Sequence, residues 1–269
     1  MTIPTDTIDK LEETFRNISA LGATLSEAQW KAATDLPGWT VQDNLAHLIG
    51  TEGSLQGLPR TDHRAPEVDH VKNPIGEFNE NDVDLRRGRT GAEVLAEWDE
   101  LVEQRLATLR GADDAYFDAP AMTPTGPGTV ADFLHIRVLD CWSHEQDIRR
   151  ALDLPGSDGN ASAAHTIDRL IRTLPIVVGK RARTAEGDSV AIHLTGPVER
   201  SMTYEVIDGR ATQVDAPSKP PVATISMDSN TFATLALGRR TATQLADHIT
   251  IEGDRDLARR VVDQLNMMI

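Results

Sequence analysis

In the segment FLHIRVLDCWSHEQDIRRA, residues 133–151, Arg137, Asp140, His144 and Asp147 recur at spacings of three and four. At 3.6 residues per helical turn, those spacings stack side chains on one stripe. The stripe falls between Phe133, Cys141, Ile148 and Ala151, so ionisable groups occupy an arc that otherwise reads as core. A buried charge without a partner is costly, and two kinds of compensation are open. One is a metal ion, because Asp140 and His144 at i, i+4 have the geometry of two ligands on one helix face. The other is a structural network in which Asp140 and His144 form a hydrogen bond or ion pair, completed by Arg137 and Asp147.

Two ligands on one helix do not make a site, so the neighbouring elements matter. A helix is predicted over residues 40–52, where Thr40 and Asp43 form a near capping box after the breaker LPGWT. It carries His47, with Asn44 and Thr51 on the same side. Val41, Leu45, Leu48 and Ile49 define its apolar arc, and His47 lies off the centre of that arc, where a surface or half-buried histidine is the plainer reading. Ile8, Leu11, Phe15, Ile18 and Leu21 mark an amphipathic helix over 8–21, and a short helical piece follows from Ser26. Residues 53–89 are rich in Gly, Pro, Asn and charge and read as a long loop with one short helix over 78–85. Thr90 caps a further helix carrying Val94, Leu95, Trp98, Leu101, Leu106 and Leu109. The break DAPAMTPTGPG then leads into the helix over 130–152 that holds the stripe. Four such helices with shared apolar sides predict a bundle.

On that last helix Glu145 and Arg149 read as an outward pair, Trp142 and His135 lie opposite the stripe, and Cys141 reads as packed. LPGSDGN, residues 154–160, stops the helix, and another is predicted over 164–178. Beyond residue 187 the period changes to two. Val190, Ile192 and Leu194 alternate along one strand and Met202, Tyr204 and Val206 along the next, with Asp208-Gly209 as a hairpin turn. A strand over 222–227 and helices over 229–237 and 255–265 complete an α+β region. The fold class is therefore α+β in two domains, a helical bundle over 1–156 and a smaller α+β domain over 157–269.

The charge balance, 27 basic against 42 acidic residues, gives −15 and argues against nucleic acid as a partner. No apolar run approaches the ~18–20 residues of a membrane helix, and the N-terminus lacks signal-peptide regions, so a soluble cytoplasmic protein is expected. One cysteine excludes both a disulfide framework within the chain and a multi-cysteine zinc site, leaving His and carboxylates for any metal. There is no GxGxxG or GxxxxGK phosphate loop, no GxSxG elbow and no HExxH.

LPGWTVQDNLAHLIGTE around His47, NPIGEFNENDV at residues 73–83 and RVLDCWSHEQDIRRALDLPG around His144 together resemble the actinobacterial maleylpyruvate isomerase family of mycothiol-dependent enzymes. The resemblance implies a DinB-like four-helix bundle whose metal is held by one histidine on the second helix and by a carboxylate and histidine spaced i, i+4 on a later one. In this sequence those positions are His47, Asp140 and His144, so the resemblance promotes His47 to a ligand. The family carries Glu where this chain has Asp140, one methylene shorter. TFATLALGRRTA and ITIEGDRDLARRVVDQLN are similar to the family's sterol-carrier-like C-terminal domain.

The implied chemistry uses a divalent metal, zinc foremost, and mycothiol as cofactors, with a small electrophilic molecule as substrate and isomerisation or S-transfer as outcome. Arg137 and Asp147 are the candidates for catalytic support, orienting the ligands or pairing with a substrate carboxylate. Arg86, Arg87 and Arg89, or Arg239 and Arg240, are positions for an anionic substrate, although solvated surface charge is the plainer reading of all five. A non-catalytic small-molecule binding module and a hydrolase using zinc-bound water are the competing functions.

Overall fold

A computed structural model describes residues 3–266. The chain divides between Ser157 and Asp158 into two compact units. In the first, helix α1 (Thr5–Gly22) is followed by a short α2 (Glu27–Trp30), α3 (Val41–Leu55), α4 (Pro74–Arg87) and α5 (Gly91–Gly111). A short α6 (Asp114–Asp118) and a hairpin of β1 (Pro120–Thr123) and β2 (Gly126–Thr129) lead into α7 (Val130–Ala151). The helices begin where their caps dictate. Ser26 with Gln29, Thr40 with Asp43, Thr90 with Glu93 and Thr129 with Asp132 each form a reciprocal capping box.

Helices α1, α3, α5 and α7 make the bundle, with α1 against α7 and α5, and α3 against the same two. Their apolar faces meet in a core built on Leu11, Phe15, Leu45, Leu48, Trp98 and Val138. Phe15 and Trp98 pack edge to face with centroids 5.1 Å apart, the arrangement the aromatic quadrupole favours.

The sequence reading of residues 53–89 is corrected in one respect. The helix predicted over 78–85 runs over the whole of Pro74–Arg87, capped by Asn73 and with proline at its first position. Its amphipathic pattern is weak because what it buries includes Glu80 and Arg86, partnered by charge rather than packed as hydrocarbon. It lies close on α3, where a Cβ at Gly50 would stand 2.5 Å from the Asp82 carboxyl carbon. The break before α7 also holds structure that periodicity did not reveal, α6 and the hairpin, since four-residue strands are too short to display alternation.

The second unit begins with α8 (Ala161–Ile171) and a π-helical turn (Ile176–Arg181). The single helix predicted over 164–178 is thus broken, at a segment containing Pro175, whose ring cannot continue the helical hydrogen bonding. Strands β3 (Ser189–Thr195), β4 (Arg200–Ile207), β5 (Arg210–Gln213), β6 (Ala223–Asp228) and β7 (Thr250–Gly253) form one sheet in the order β5-β4-β3-β6-β7. Only β3 and β6 are parallel; the other pairs are antiparallel. Asp208 and Gly209, with φ of 52° and 74°, make the β4–β5 turn as their residue types require. Helices α9 (Ser229–Ala236) and α10 (Arg255–Asp263) complete the unit. Val190, Tyr204, Ile225, Phe232 and Val261 are buried within it.

Candidate metal centre

His47 projects from the middle of α3, and Asp140 and His144 project from successive turns of α7. The packing of α3 on α7 brings all three together, so that a ligand atom from each lies within 4.8 Å of the others. His47 Nε2 is 3.2 Å from Asp140 Oδ2, and His144 Nε2 is 3.7 Å from Asp140 Oδ1. A tetrahedral centre with bonds of about 2.0–2.2 Å separates its ligand atoms by about 3.3–3.6 Å, and the two histidine–carboxylate spacings, each to a different Asp140 oxygen, lie close to that range. Both histidines are buried, whereas the Asp140 side chain keeps 22 % of its surface exposed and leaves the cluster open on that side.

The protonation of His144 suits a cation. Asn44 donates its amide N–H to Thr40 O at 2.9 Å, one turn back on α3, which turns its Oδ1 toward His144 Nδ1 at 2.7 Å. Asp147 Oδ2 stands 3.3 Å from the same nitrogen. With acceptors at Nδ1, His144 carries its proton there and presents the Nε2 lone pair to the cluster. Burial pushes the His47 imidazolium pKa down, more than the attraction of Asp140 raises it, so the ring is neutral. For Asp140 burial acts the other way, but Arg137 together with His47 outweighs it and holds the carboxyl well below the usual range. Arg137 Nη1 donates to Asp140 Oδ2 at 2.7 Å.

Arg137 and Asp147 therefore flank the cluster one turn either side, as the helical spacing predicts, each touching one of its members. The structural network weighed as the alternative to a metal is formed by these contacts. The two readings describe the same atoms, because the charges that steady one another also orient the three donors.

Trp39, from the LPGWT breaker, covers the cluster, with ring centroids 5.4 Å from His47 and 6.0 Å from His144. Its indole N–H donates to Glu80 Oε2 at 3.0 Å, an oxygen also 3.0 Å from His70 Nε2, while Arg87 Nη1 reaches Glu80 Oε1 at 2.6 Å. Burial would raise the Glu80 pKa, but these bonds from His70, Trp39 and Arg87 bring it below its ordinary value. His63 with Asp84 at 2.7 Å, and Asn81 Oδ1 accepting from Ala65 N at 2.8 Å, tie the preceding loop along α4.

Two sequence expectations are corrected. Glu145 is fully buried, so its 2.8 Å pair with Arg149 does not point outward. Arg86 is 8 % exposed and held by Glu97 at 2.6 Å, which removes it from the solvated set. Sequence reasoning also missed Glu52 and Arg105, both buried behind Arg137. A signal existed for Arg105, which sits between Leu101 and Leu109 at i±4 on the apolar face of α5.

The fold and cluster define a helical bundle with a potential three-donor cation site, joined to a separate α+β unit. Residues 11–149 match the family described as the mycothiol maleylpyruvate isomerase N-terminal domain, and the chain belongs to that family. Residues 167–266 match the SCP-2 sterol transfer family. Crystal structures of the mycothiol-dependent maleylpyruvate isomerase and of a histidine-to-alanine mutant superpose with a TM-score of 0.59 over 94 % of this chain and 95 % of theirs. At 15 % and 14 % identity, that likeness establishes the fold. Uncharacterized proteins from two strains of Mycobacterium tuberculosis are 26 % identical over 157 residues, and the match spans only 58 % of their length.

Proposed function

We propose that this chain is a divalent-metal-dependent, mycothiol-using enzyme that activates a thiol for attack on a small electrophilic molecule, with isomerisation or S-transfer as the outcome. The observation that carries the reading is the convergence of His47, Asp140 and His144, supported by family membership. Two imidazole nitrogens and one carboxylate oxygen are a sound donor set for zinc, and they leave a fourth position open. When bound, such an ion supplies Lewis acidity that lowers the pKa of a thiol from about 8.5 and so favours thiolate at neutral pH.

The chain's own residues do the rest. Asn44 and Asp147 keep a proton on His144 Nδ1, and Arg137 keeps Asp140 ionised. Trp39 lies against the two imidazoles and shields that side of them from water.

The test is metal content together with thiol dependence. Protein purified without chelators contains close to one equivalent of divalent metal, His144→Ala contains none, and turnover of an electrophilic substrate requires mycothiol. Native protein that holds no metal and takes none up ends this reading, and turnover indifferent to mycothiol would instead indicate a hydrolase.

A further inference from the structure

Four charged side chains run in a line from the candidate centre into the bundle. Arg137 Nη1 donates to Asp140 Oδ2 at 2.7 Å, and Arg137 Nε donates to Glu52 Oε1 at 2.6 Å. On the far side of Glu52, Arg105 Nε donates to Oε2 at 3.1 Å, and Arg105 Nη1 reaches the Tyr116 hydroxyl, also at 3.1 Å. The side chains of Glu52, Arg105 and Arg137 are only 1–3 % exposed. The line joins three helices, α3, α5 and α7.

Ion pairs this deep do little for the fold. Each ion loses its hydration on burial, and well-packed apolar residues of the same volume often give equal or greater stability. The same three helices contribute Leu48, Leu101 and Val138 to the apolar core, so the bundle does not depend on the line for its packing. What the line reaches at its outer end is Asp140, the member of the cluster that remains partly exposed.

Its effect there is directional. A guanidinium fixed on Oδ2, the oxygen that also lies 3.2 Å from His47 Nε2, resists rotation of the carboxylate and leaves Oδ1 facing His144 Nε2 at 3.7 Å, too long for a hydrogen bond. A lone arginine in that position would also repel a cation. Glu52 cancels the charge, and Arg105 in turn prevents Glu52 from being a buried anion with a single partner.

We propose that Glu52 is a positioning residue of the metal centre: by holding and neutralising Arg137, it fixes Asp140 so that one oxygen, Oδ1, is presented to the ion. The inference rests on the metal-binding reading given above. Nothing in it requires Glu52 to touch metal, thiol or substrate.

Cobalt(II) titration of the full-length protein tests it, because the visible absorption of cobalt reports both affinity and coordination geometry. Glu52→Gln, with helical circular dichroism unchanged, binds cobalt about 10–100-fold more weakly than wild type, the range found when a ligand's hydrogen-bond partner is lost, and shows an altered absorption envelope. Arg137→Lys keeps the charge but cannot bridge both carboxylates, and it gives the same spectral change. Wild-type affinity and spectrum in Glu52→Gln overturn the proposal, and a wild-type spectrum in Arg137→Lys does so even if Glu52→Gln does not fold. Failure of the wild-type protein itself to bind cobalt removes the metal-binding reading and this inference with it, a result that the variants cannot mimic.

Discussion

Asn44 Oδ1 lies 2.7 Å from His144 Nδ1, across one hundred residues of chain, and this contact decides which imidazole nitrogen faces Asp140. The orientation of Asn44 is itself fixed, since its amide is spent on the carbonyl of Thr40. A helix cap on α3 thereby sets the tautomer of a residue on α7.

Asn44→Ala is expected to weaken zinc binding by about 10–100-fold, read by competition with a chromophoric chelator. Asn44→Asp keeps an acceptor but loses the N–H bond to the Thr40 carbonyl that orients it, and falls between Asn44→Ala and wild type. Equal affinity in Asn44→Ala and wild type would transfer the orienting role to Asp147 alone.

Chelation lowers the thermal midpoint of the wild-type protein. A ligand present at one hundred times its Kd stabilises the state that binds it by about 2.7 kcal/mol. In His47→Ala and in His144→Ala the midpoint no longer responds to chelator, which differential scanning calorimetry with and without added zinc can determine. A chelator effect that survives both substitutions would place the metal elsewhere.

Acidification destabilises the metal-free protein in two stages. His47 has a folded-state pKa below its ordinary 6.5, so the unfolded chain takes up the proton first and stability declines as pH falls below that value. Asp140, also depressed, adds a further loss as pH falls below the ordinary 3.8. Urea midpoints measured from pH 8 downward should show the first stage in wild type and lose it in His47→Gln. A midpoint that rises on acidification through that range contradicts the sign.

Trp98→Ala removes one of the largest side chains of the bundle core, one with no exposed surface, and costs about 3–5 kcal/mol. Urea denaturation followed by far-ultraviolet circular dichroism gives the value directly. A loss below about 1 kcal/mol would mean that the cavity collapses far more readily than the packing of Phe15 on Trp98 allows.

Much of the bundle was legible in the sequence because its signals are local. Thr40 and Thr90 cap where their side chains can reach the third backbone N–H, and the stripe from Arg137 to Asp147 follows from the helical period alone. Helix α4 was half hidden because its buried members are charged, so hydrophobic patterning undercounts what it covers. The hairpin before α7 was hidden because its strands are too short to alternate visibly. Glu145 was misplaced for a related reason: an i, i+4 pair with Arg149 has the same sequence spacing in solvent or in the interior.

The sequence by itself determined the four helices of the bundle, the two-residue turn at Asp208-Gly209 and the placing of Asp140 above His144, since each depends on residues within about one turn of one another. His47 belonged to no such pattern, and only its resemblance to a family motif raised it above an ordinary half-buried histidine. The tertiary structure decided that α3 packs on α7 with His47 toward Asp140, that Asn44 reaches His144, and that Glu52 and Arg105 stand behind Arg137. These contacts join residues about fifty to one hundred positions apart, and their geometry is set by how apolar helix faces interlock, which no spacing along the chain records.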